Sequence, residues 1–393
     1  MKKKTILFIA LLSGVITGGG LVLLFPEGNW WTGWLSGAVL MALTVLTCLF
    51  LPKWLDTGKE GLRLTIAAFA IRLVIGVALM LMLPVLGYDN DQQNAGYVFK
   101  DAYSRDTASY ELAASGDSLL NVFNAEFFTD QYGGLAFISA LVYRVFSMDA
   151  HRPYLMLILS SWAFSSGVAF FYAALRNRFS AKLAWAASWI VVLYPEGIFF
   201  TASQMREPFM IGGAMILIWG MLTWFEKAER KKVLLVCVPT LLIMAAVSWL
   251  MLGAALLVLT GWFGIEWIQR NVVDEKRKKA YILLFGGIFV ILGGMAIIGR
   301  SWLLETIGWD MNLMLHSSGH LEVLVEDQPA IVQYVFMTVY GVLQMLPPAA
   351  LIESSAGIWK VISVLRSLGW YAFLPLLGYG VYAVWKNEYR EQR

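Results

Sequence analysis

The strongest constraint on this chain is a series of apolar runs, each close to the roughly 20 residues that an α-helix needs to cross a bilayer. The runs recur along almost the whole length, and 59% of the 393 residues are hydrophobic. A bilayer core offers no hydrogen-bond partners to the backbone, so apolar runs of this length form helices there. The sequence therefore predicts an all-α polytopic membrane protein and not a soluble domain.

The first run and the two cysteines fit the same class. Lys2–Lys4 precede a long apolar stretch, Thr5–Phe25, and no small-x-small cleavage site follows it. We therefore interpret this stretch as an uncleaved first span and not as a signal peptide. Cys48 and Cys237 both lie inside apolar runs. This placement indicates neither a disulfide framework nor a metal-binding cysteine pair.

Lysine and arginine are concentrated in six short segments, which hold 21 of the 30 basic residues. Short basic connections stay on the cytoplasmic side of a membrane, so all six are expected there. The segments are 2–4, 53–63, 176–182, 227–232, 270–279 and 386–393. This sorting requires that two apolar runs, Gly133–Met148 and Ile331–Leu346, do not cross the bilayer.

The sorting predicts about ten transmembrane helices with both termini in the cytoplasm. They are expected near 5–25, 34–51, 64–86, 154–175, 183–201, 208–225, 233–249, 251–268, 280–299 and 367–385. The two non-crossing runs are predicted to be interfacial helices in two large outer loops, 88–153 and 300–366, on the outer face of the cytoplasmic membrane. We expect one integral membrane domain, 1–393, in which 1–63 supplies two extra N-terminal spans.

The first outer loop is acidic and far longer than a connection needs to be, which is typical of a functional surface. Residues 88–131 hold eight carboxylates and only two basic residues, Lys100 and Arg105. Asp101 and Asp106 lie in a stretch rich in helix formers, so Asp101 shares a helix face with Arg105, and Asp106 with Tyr110. A solvated helix with one ion pair explains this pattern; a carboxylate that acts as a general base or metal ligand also explains it. As a loop carboxylate, either Asp is expected to have little packing role.

A second polar segment joins two predicted spans at the outer surface, from Tyr194 to Pro208. Pro195 interrupts helical hydrogen bonding, and Pro208 starts the next helix in its favoured position. Arg206 and Glu207 lie between these prolines. Ionisable residues next to apolar helices are costly unless they are paired or solvated, so this pair is a functional candidate. The alternative is an interfacial turn whose arginine reaches the lipid headgroups.

Together these residues resemble the GT-C membrane glycosyltransferases, a group that includes the protein O-mannosyltransferases and the aminoarabinose lipid A transferases. The similarity covers roughly 88–225. It consists of an Asp-x-x-x-Tyr-x-x-Ala pattern (Asp106, Tyr110, Ala113), an amphipathic segment from Tyr132 to Arg144, a Pro, Ser and Glu pattern (Pro195, Ser203, Glu207) and a weaker match at Leu346-Pro347-Pro348.

The resemblance implies a GT-C-like fold and an enzyme that takes a sugar from a polyprenyl-phosphate donor. Asp101 or Asp106 would be the catalytic first-loop carboxylate, and Glu207 the second acidic residue. The family's usual Asp-Glu pair is Asp106-Thr107 here, so both aspartates stay open. The departing lipid phosphate would be bound by basic residues on the outer side. The candidates are Arg206, Arg105, Lys360 and Arg366.

A divalent metal is the only cofactor for which the sequence offers candidates. The candidate ligands are Asp106, Glu207, His316 and His320. The two histidines are spaced i and i+4, which suits metal binding on a helix, although Gly319 between them disfavours a helix. Arg72 is a separate case, because it lies inside the third span, where a charge needs a partner. A carbonyl or carboxylate in the bundle, or a donor phosphate, would provide one.

The leading functional hypothesis is a membrane glycosyltransferase, hexosyl or pentosyl, that acts on a lipid, glycan or protein acceptor in the cell envelope. A polysaccharide polymerase or ligase is an alternative, but the outer loops are acidic and not rich in Arg and His. A lipid or polysaccharide transporter or flippase is an alternative of another class. It would have broken helices and paired repeats, and neither is clear in the sequence. Membrane lipids are expected partners, whereas no nucleic-acid-binding pattern is present.

The predicted topology is testable by cysteine labelling in a chain whose Cys48 and Cys237 are replaced by alanine. A cysteine at Ser115 should react with a membrane-impermeant reagent from outside the cell. A cysteine at Ser180 should react only after the membrane is opened, because its connection is basic. The reverse pattern would place the candidate site on the cytoplasmic side and contradict the topology.

Overall fold

A computed structural model describes residues 3–124, 132–225, 229–271 and 357–391, together with a few single positions between 271 and 357. Within these ranges the chain is helical and contains no strand. In the described part of the chain, seven helices are long and apolar enough to cross a membrane, or eight if one bent pair counts as a span. The all-α polytopic class is thus confirmed. His316, His320 and most of the predicted span 280–299 lie outside the described residues, as does nearly all of Ile331–Leu346.

From α1 to α11 most helices follow one another with short turns, apart from the long connection between α3 and α7, which carries α4 to α6. Their bounds are α1 Lys3–Leu24, α2 Trp30–Trp54, α3 Gly58–Leu86, α4 Asp91–Asn94, α5 Lys100–Ser115, α6 Gly134–Phe146, α7 Tyr154–Arg178, α8 Ala181–Leu193, α9 Pro195–Ala202, α10 Glu207–Trp224, α11 Arg230–Asn271 and α12 Gly357–Glu391. A short 3₁₀ helix, Leu119–Phe123, follows α5.

The chain divides into two compact units. The first is Met1–Leu256 with Ser355–Trp359, and it holds α1 to α10 and the first part of α11. The second is Leu257–Ser354 with Lys360–Arg393, and it holds the rest of α11 and most of α12. The single membrane domain stays a prediction.

Helix α7 is the centre of the first unit and packs against α2, α3, α6, α8, α9 and α10. Its apolar side chains are buried along most of its length, as at Phe164 and Val168. Close approach to α10 depends on glycine, since a Cβ added at Gly167 would lie 2.6 Å from the Cα of Gly212. Small residues at such contacts let helix backbones pack closely, which is a main source of helix association in membranes.

Helices α1 and α2 form a tightly packed antiparallel pair. A Cβ added at Gly18 would lie 2.5 Å from the backbone nitrogen of Ala38, and Gly14 lies against the carbonyl of the same residue. The turn between the helices contains Gly28 at φ +64°, a left-handed backbone that favours glycine. Asn29 caps α2, because its Oδ1 accepts from the backbone N–H of Trp31 at 2.9 Å.

A buried arginine ties that turn to the connection before α7. The Arg152 side chain is fully buried, and its Nη2 donates to the carbonyls of Glu27 and Asn29, each at 3.0 Å. Both terminal nitrogens also donate to the Asp149 carboxylate, at 2.7 and 2.8 Å. Asp149 in turn accepts from the backbone N–H of Asn29 at 2.9 Å. A buried charge is tolerated when it is paired and hydrogen-bonded in this way.

Contacts between connections define two ends of the first unit. At one end Arg176 donates to the carbonyl of Asp56 at 2.6 Å, so two of the basic segments meet there. The opposite end holds the α1–α2 turn, residues 87–124, residues 132–153 and the α9–α10 turn, and is here called the connection end. The short helix α6, 13 residues long, belongs to it and is too short to span, as predicted for Gly133–Met148.

The apolar segment after Ser180 is a broken helix. Helices α8 and α9 meet at an angle of 46°, and the break falls where Pro195 has no N–H to continue the helix. Arg72 of α3, fully buried, donates from Nη1 to the carbonyl of Val192 in the last turn of α8 at 3.1 Å. Its guanidinium also lies 3.5 Å from the ring centroid of Phe164. The carbonyl partner expected for Arg72 is therefore present, and a broken helix is present that the sequence did not make clear.

Helix α11 is also interrupted, since Ser248 has φ −164° and ψ 98° inside it. This extended residue lies at the predicted boundary between the spans 233–249 and 251–268. The residues just before it pack on α6, because a Cβ added at Gly134 would contact the carbonyl of Ala246. The interruption therefore belongs to the connection end.

Replacing Asp149 with Asn should destabilise the protein, because it leaves the buried Arg152 without its charged partner. We expect a loss of about 1–3 kcal/mol, the cost of an unsatisfied buried group, measured as a lower midpoint of thermal unfolding in detergent. Arg63→Gln is the matched control, since the Arg63–Glu60 pair is largely exposed and such pairs contribute about 0–1 kcal/mol. The hydrogen bonds from Arg152 to Glu27, Asn29 and Asp149 are here called the Arg152 clamp. Equal shifts in both variants would contradict its stabilising role.

Candidate functional site

Helix α5 carries the candidate residues of the long connection and is anchored at its C-terminal end. Arg144 of α6 donates to the carbonyls of Leu112 at 2.7 Å and Ala113 at 3.2 Å. The last carbonyls of a helix lack backbone partners inside it, and a cation at this end also complements the helix dipole. Gly116, at φ +83°, then ends the helix. The helix predicted around Asp101 and Asp106 is therefore present and fixed to α6.

Asp106 is the centre of a buried hydrogen-bond cluster. Its Oδ2 accepts from the Tyr97 hydroxyl at 2.5 Å and from the Tyr143 hydroxyl at 2.6 Å. His151 Nε2 lies 3.0 Å from the same oxygen. Only 1% of Asp106 is exposed. The expectation that a loop carboxylate has little packing role is wrong for Asp106, because this side chain joins α5 to α6 and to the segments on either side of them.

The cluster keeps the carboxylate ionised and the tyrosines protonated. Burial by itself raises the pKa of Asp106, but the hydrogen bond and charge of His151 and the two tyrosine hydroxyls outweigh it, so the pKa lies below the usual value. Burial, together with the negative charge of Asp106, raises the pKa of Tyr97 and Tyr143 well above the ordinary value. Both hydroxyls therefore remain donors, and Asp106 remains the acceptor.

His151 is the member of the cluster that reaches open space. Its ring stacks on Tyr110 with centroids 5.0 Å apart and meets the Tyr143 ring edge-on at 5.1 Å. About 21% of its side chain is exposed. Sequence reasoning considered His316 and His320 and missed this residue. The available signal was that His151 is the only histidine of the first long connection.

The open space next to His151 is a cavity of about 250 Å³. It lies between the last turns of α3, residue Asn94 of α4 and the α1–α2 turn. Met80, Pro84 and Phe25 give it apolar walls, whereas Glu27, Asn94 and His151 give it polar ones. Mixed walls of this kind are typical of small-ligand sites, although the volume is below the usual range of about 300–1,000 Å³.

Arg105, the neighbour of Asp106 on α5, connects the helix to the α9–α10 turn. Its Nη2 donates to the carbonyl of Gln204 at 2.5 Å, and its side chain is buried. Gln204 has φ +55°, a left-handed conformation that is uncommon for residues other than glycine and is often found at functional sites. The first connection and the 195–208 segment, predicted separately as functional, are therefore in direct contact.

Glu207 follows that turn and starts α10. Its Oε2 is buried and has no hydrogen-bond partner among the described residues. Arg206, Arg105 and Glu196 act on this carboxylate electrostatically. The Arg206 guanidinium lies 5.2 Å from the ring centroid of Tyr132, just before α6. A buried carboxylate oxygen of Glu207 thus lies within electrostatic reach of two arginines and has no hydrogen-bond partner among the described residues.

The other predicted site residues are dispersed. Asp101 is exposed on α5, and no ion pair joins it to Arg105 within the described ranges. Lys360 is exposed and Arg366 is half-buried on α12, in the second unit. Among the described residues no three His, Cys, Asp or Glu side chains are grouped as metal ligands. The predicted metal ligands His316 and His320 lie outside those residues.

The chain matches no family model, and neither the curated proteins nor the solved structures include a significant match. What the structure establishes is a class: an all-helical polytopic membrane protein with a buried polar cluster at one end of its first unit. The GT-C resemblance continues to depend on the sequence motifs.

Because its pKa is lowered in the folded protein, ionised Asp106 stabilises the fold above the ordinary carboxyl pKa of about 3.9, and this contribution is lost as the pH falls through the lowered value. Asp106→Asn should therefore lower the thermal midpoint most at pH 5–8 and progressively less below about pH 4. Glu111→Gln, an exposed carboxylate on the same helix, is the control and should have little effect at any pH. A pH-independent difference for Asp106→Asn would show that its charge is not stabilising.

Proposed function

We propose that this protein is a membrane glycosyltransferase that transfers a hexosyl or pentosyl group from a polyprenyl-phosphate donor to an acceptor at the outer face of the cytoplasmic membrane. The acceptor would be a lipid, a glycan or a protein of the cell envelope. Both termini would be cytoplasmic, and the connection end would face outward.

The observation that carries the proposal is the buried contact of Arg105 with Gln204. It brings the first-loop helix and the α9–α10 turn, the two segments with GT-C-like motifs, to one place. Carboxylates and arginines then lie together at the end of a membrane bundle. A lipid-linked donor presents its phosphate at this depth while its tail stays in the bilayer.

In the proposed reaction, Arg206 and Arg105 bind the donor phosphate. The phosphate gains negative charge as the sugar departs, and fixed cations near the leaving oxygen stabilise that change. Arg206 and Arg105 both act on Glu207 electrostatically, which supports assigning both to the donor phosphate. The guanidinium group suits the role because it can bind two phosphate oxygens at once. Lys360 and Arg366 remain further candidates for the phosphate.

The carboxylates would divide the remaining tasks. Glu207 has a buried oxygen without a partner in the described part of the chain, so it would orient the acceptor hydroxyl. Asp101 is exposed and accessible, whereas Asp106 is buried beneath its tyrosine and histidine partners. Asp106 would therefore act indirectly, without contacting the donor or the acceptor. A divalent metal at Glu207 or Asp106 remains a proposal.

The roles of Arg206 and Glu207 are separable in a transfer assay with purified protein and polyprenyl-phosphate sugars. Arg206→Lys keeps the charge but loses the two-point grip on phosphate, so the donor KM should rise by about tenfold or more. Glu207→Gln should lower kcat by about 10²-fold with the donor KM nearly unchanged, as expected for a group that acts on the acceptor. Small, equal effects in both variants would mean that the α9–α10 turn only caps its helices at the membrane interface.

A transporter or flippase is the second candidate, and the broken helix favours it. Discontinuous helices near buried charges are typical of transporter binding sites, and α8–α9 is such a helix with Arg72 at its break. The assay distinguishes the two functions. A transporter would move a lipid-linked sugar across the membrane of a proteoliposome without forming a new glycosidic bond.

A further inference from the structure

We infer that His151 is the general base of the proposed transferase, with Asp106 as its positioning residue and the adjacent cavity as the binding place for the hydroxyl-bearing end of the acceptor. This inference rests on the proposed function for its reaction. Its geometric part, an aspartate-held histidine that opens on a cavity, stands on the observed contacts.

The contacts of His151 leave one ring nitrogen for a ligand. Nε2 lies 3.0 Å from Asp106 Oδ2, and Nδ1 has no hydrogen-bond partner among the described residues. Since Asp106 stays ionised, Nε2 carries the proton of the neutral ring, and the lone pair is on Nδ1. A buried carboxylate that fixes the tautomer of a partly exposed histidine is the arrangement by which an imidazole becomes a base.

The surroundings hold the ring in one orientation. Tyr110 stacks on one face and Tyr143 approaches edge-on, so the ring cannot turn without losing the Asp106 contact. The titratable and charged groups around it come from every neighbouring element. They are Tyr97 before α5, Arg105, Asp106 and Tyr110 on α5, Tyr143 on α6, Arg152 at the start of α7 and Glu27 in the α1–α2 turn.

The cavity suits the acceptor, because the donor phosphate would bind elsewhere, at the arginines. At about 250 Å³ it suits one reacting group and not a whole glycan. Glu27 and Asn94 line it with oxygen and amide groups that hydrogen-bond hydroxyls. Arg206 and Arg105, which would bind the donor phosphate, act electrostatically on Glu207, and Arg105 directly precedes Asp106 in α5. Donor and acceptor would therefore meet next to the adjacent Arg105 and Asp106, where Glu207 orients the acceptor hydroxyl and His151 takes its proton.

The proton balance of the step is complete. The acceptor O–H bond breaks and its proton goes to His151 Nδ1, while the acceptor oxygen forms a bond to the anomeric carbon. The bond from that carbon to the phosphate oxygen breaks, and its electron pair leaves with the polyprenyl phosphate. The ionised Asp106 stabilises the imidazolium, which then returns its proton to water.

The catalytic test compares purified variants for transfer from a polyprenyl-phosphate sugar. His151→Ala should lose about 10²–10⁴-fold in kcat with the donor KM within about threefold. Added imidazole should restore part of this kcat, because the shortened side chain leaves room next to the cavity. Glu111→Gln, on the exposed side of α5, is the control and should keep full activity. A purely structural histidine would give no rescue by imidazole.

Asp106→Asn tests whether Asp106 positions the His151 ring. Tyr143→Phe is the control that separates this effect on kcat from a general loss of stability. Tyr143→Phe removes one hydrogen bond to Asp106 but leaves the Asp106–His151 contact. It should therefore lose less kcat than Asp106→Asn at a similar loss of thermal stability. If kcat followed thermal stability equally in both variants, Asp106 would have only a structural role and the inference would fail.

Labelling with diethyl pyrocarbonate, which acylates an accessible neutral imidazole nitrogen, needs no activity and is scored by mass spectrometry of the His151 peptide. The folded protein should be labelled there, and Ala95→Trp, which narrows the cavity, should slow the labelling. Absence of labelling would overturn the cavity-facing base. If labelling succeeds but the wild type transfers no sugar, the proposed function fails. If the wild type transfers sugar but the kcat of His151→Ala stays within threefold of it, only the assignment of His151 as general base fails.

Discussion

The cost of leaving a charge without a partner in an apolar surrounding governs how this molecule is assembled. A bundle of membrane helices can hold an ionised group inside only when other groups neutralise and hydrogen-bond it. Arg152 meets this condition with two backbone carbonyls and a carboxylate, whereas Arg72 has backbone carbonyls and the ring of Phe164 as its partners. Most of these contacts join segments far apart in the chain. The buried charges thus connect distant segments of the first unit.

The same rule explains the arrangement of α5. Arg105 and Asp106 are adjacent in sequence and opposite in charge, yet both are buried without pairing as a simple ion pair. Arg105 turns to the carbonyl of Gln204, and Asp106 turns to two tyrosines and His151. One helical turn therefore serves two polar clusters. In the proposed reaction, this division separates the arginines that would bind the donor phosphate from the histidine and the cavity that would bind the acceptor.

The helical class, the bounds of most spans, the non-crossing α6 and the helix at Asp101 and Asp106 were predictable from the sequence, because they follow from hydropathy and helix propensity. The approach of the first connection to the 195–208 segment was expected only by resemblance to a family. Burial of Asp106 was not predictable, since its three partners come from other segments up to 45 positions away in the chain. His151 was missed for the same reason. The helix break had a visible cause in Pro195, but its capping by Arg72 depends on how α3 and α8 pack.

The clamp at Arg152 also bears on the order in which the molecule is made. The α1–α2 pair has its own glycine-lined contact and can form as soon as both helices are in the bilayer. Its turn, however, is closed by a side chain that lies 125 positions after Glu27. During synthesis the ribosome must therefore deliver the whole first connection before the turn is locked. Until then the N-terminal hairpin lacks this contact, and the connection before α7 completes it.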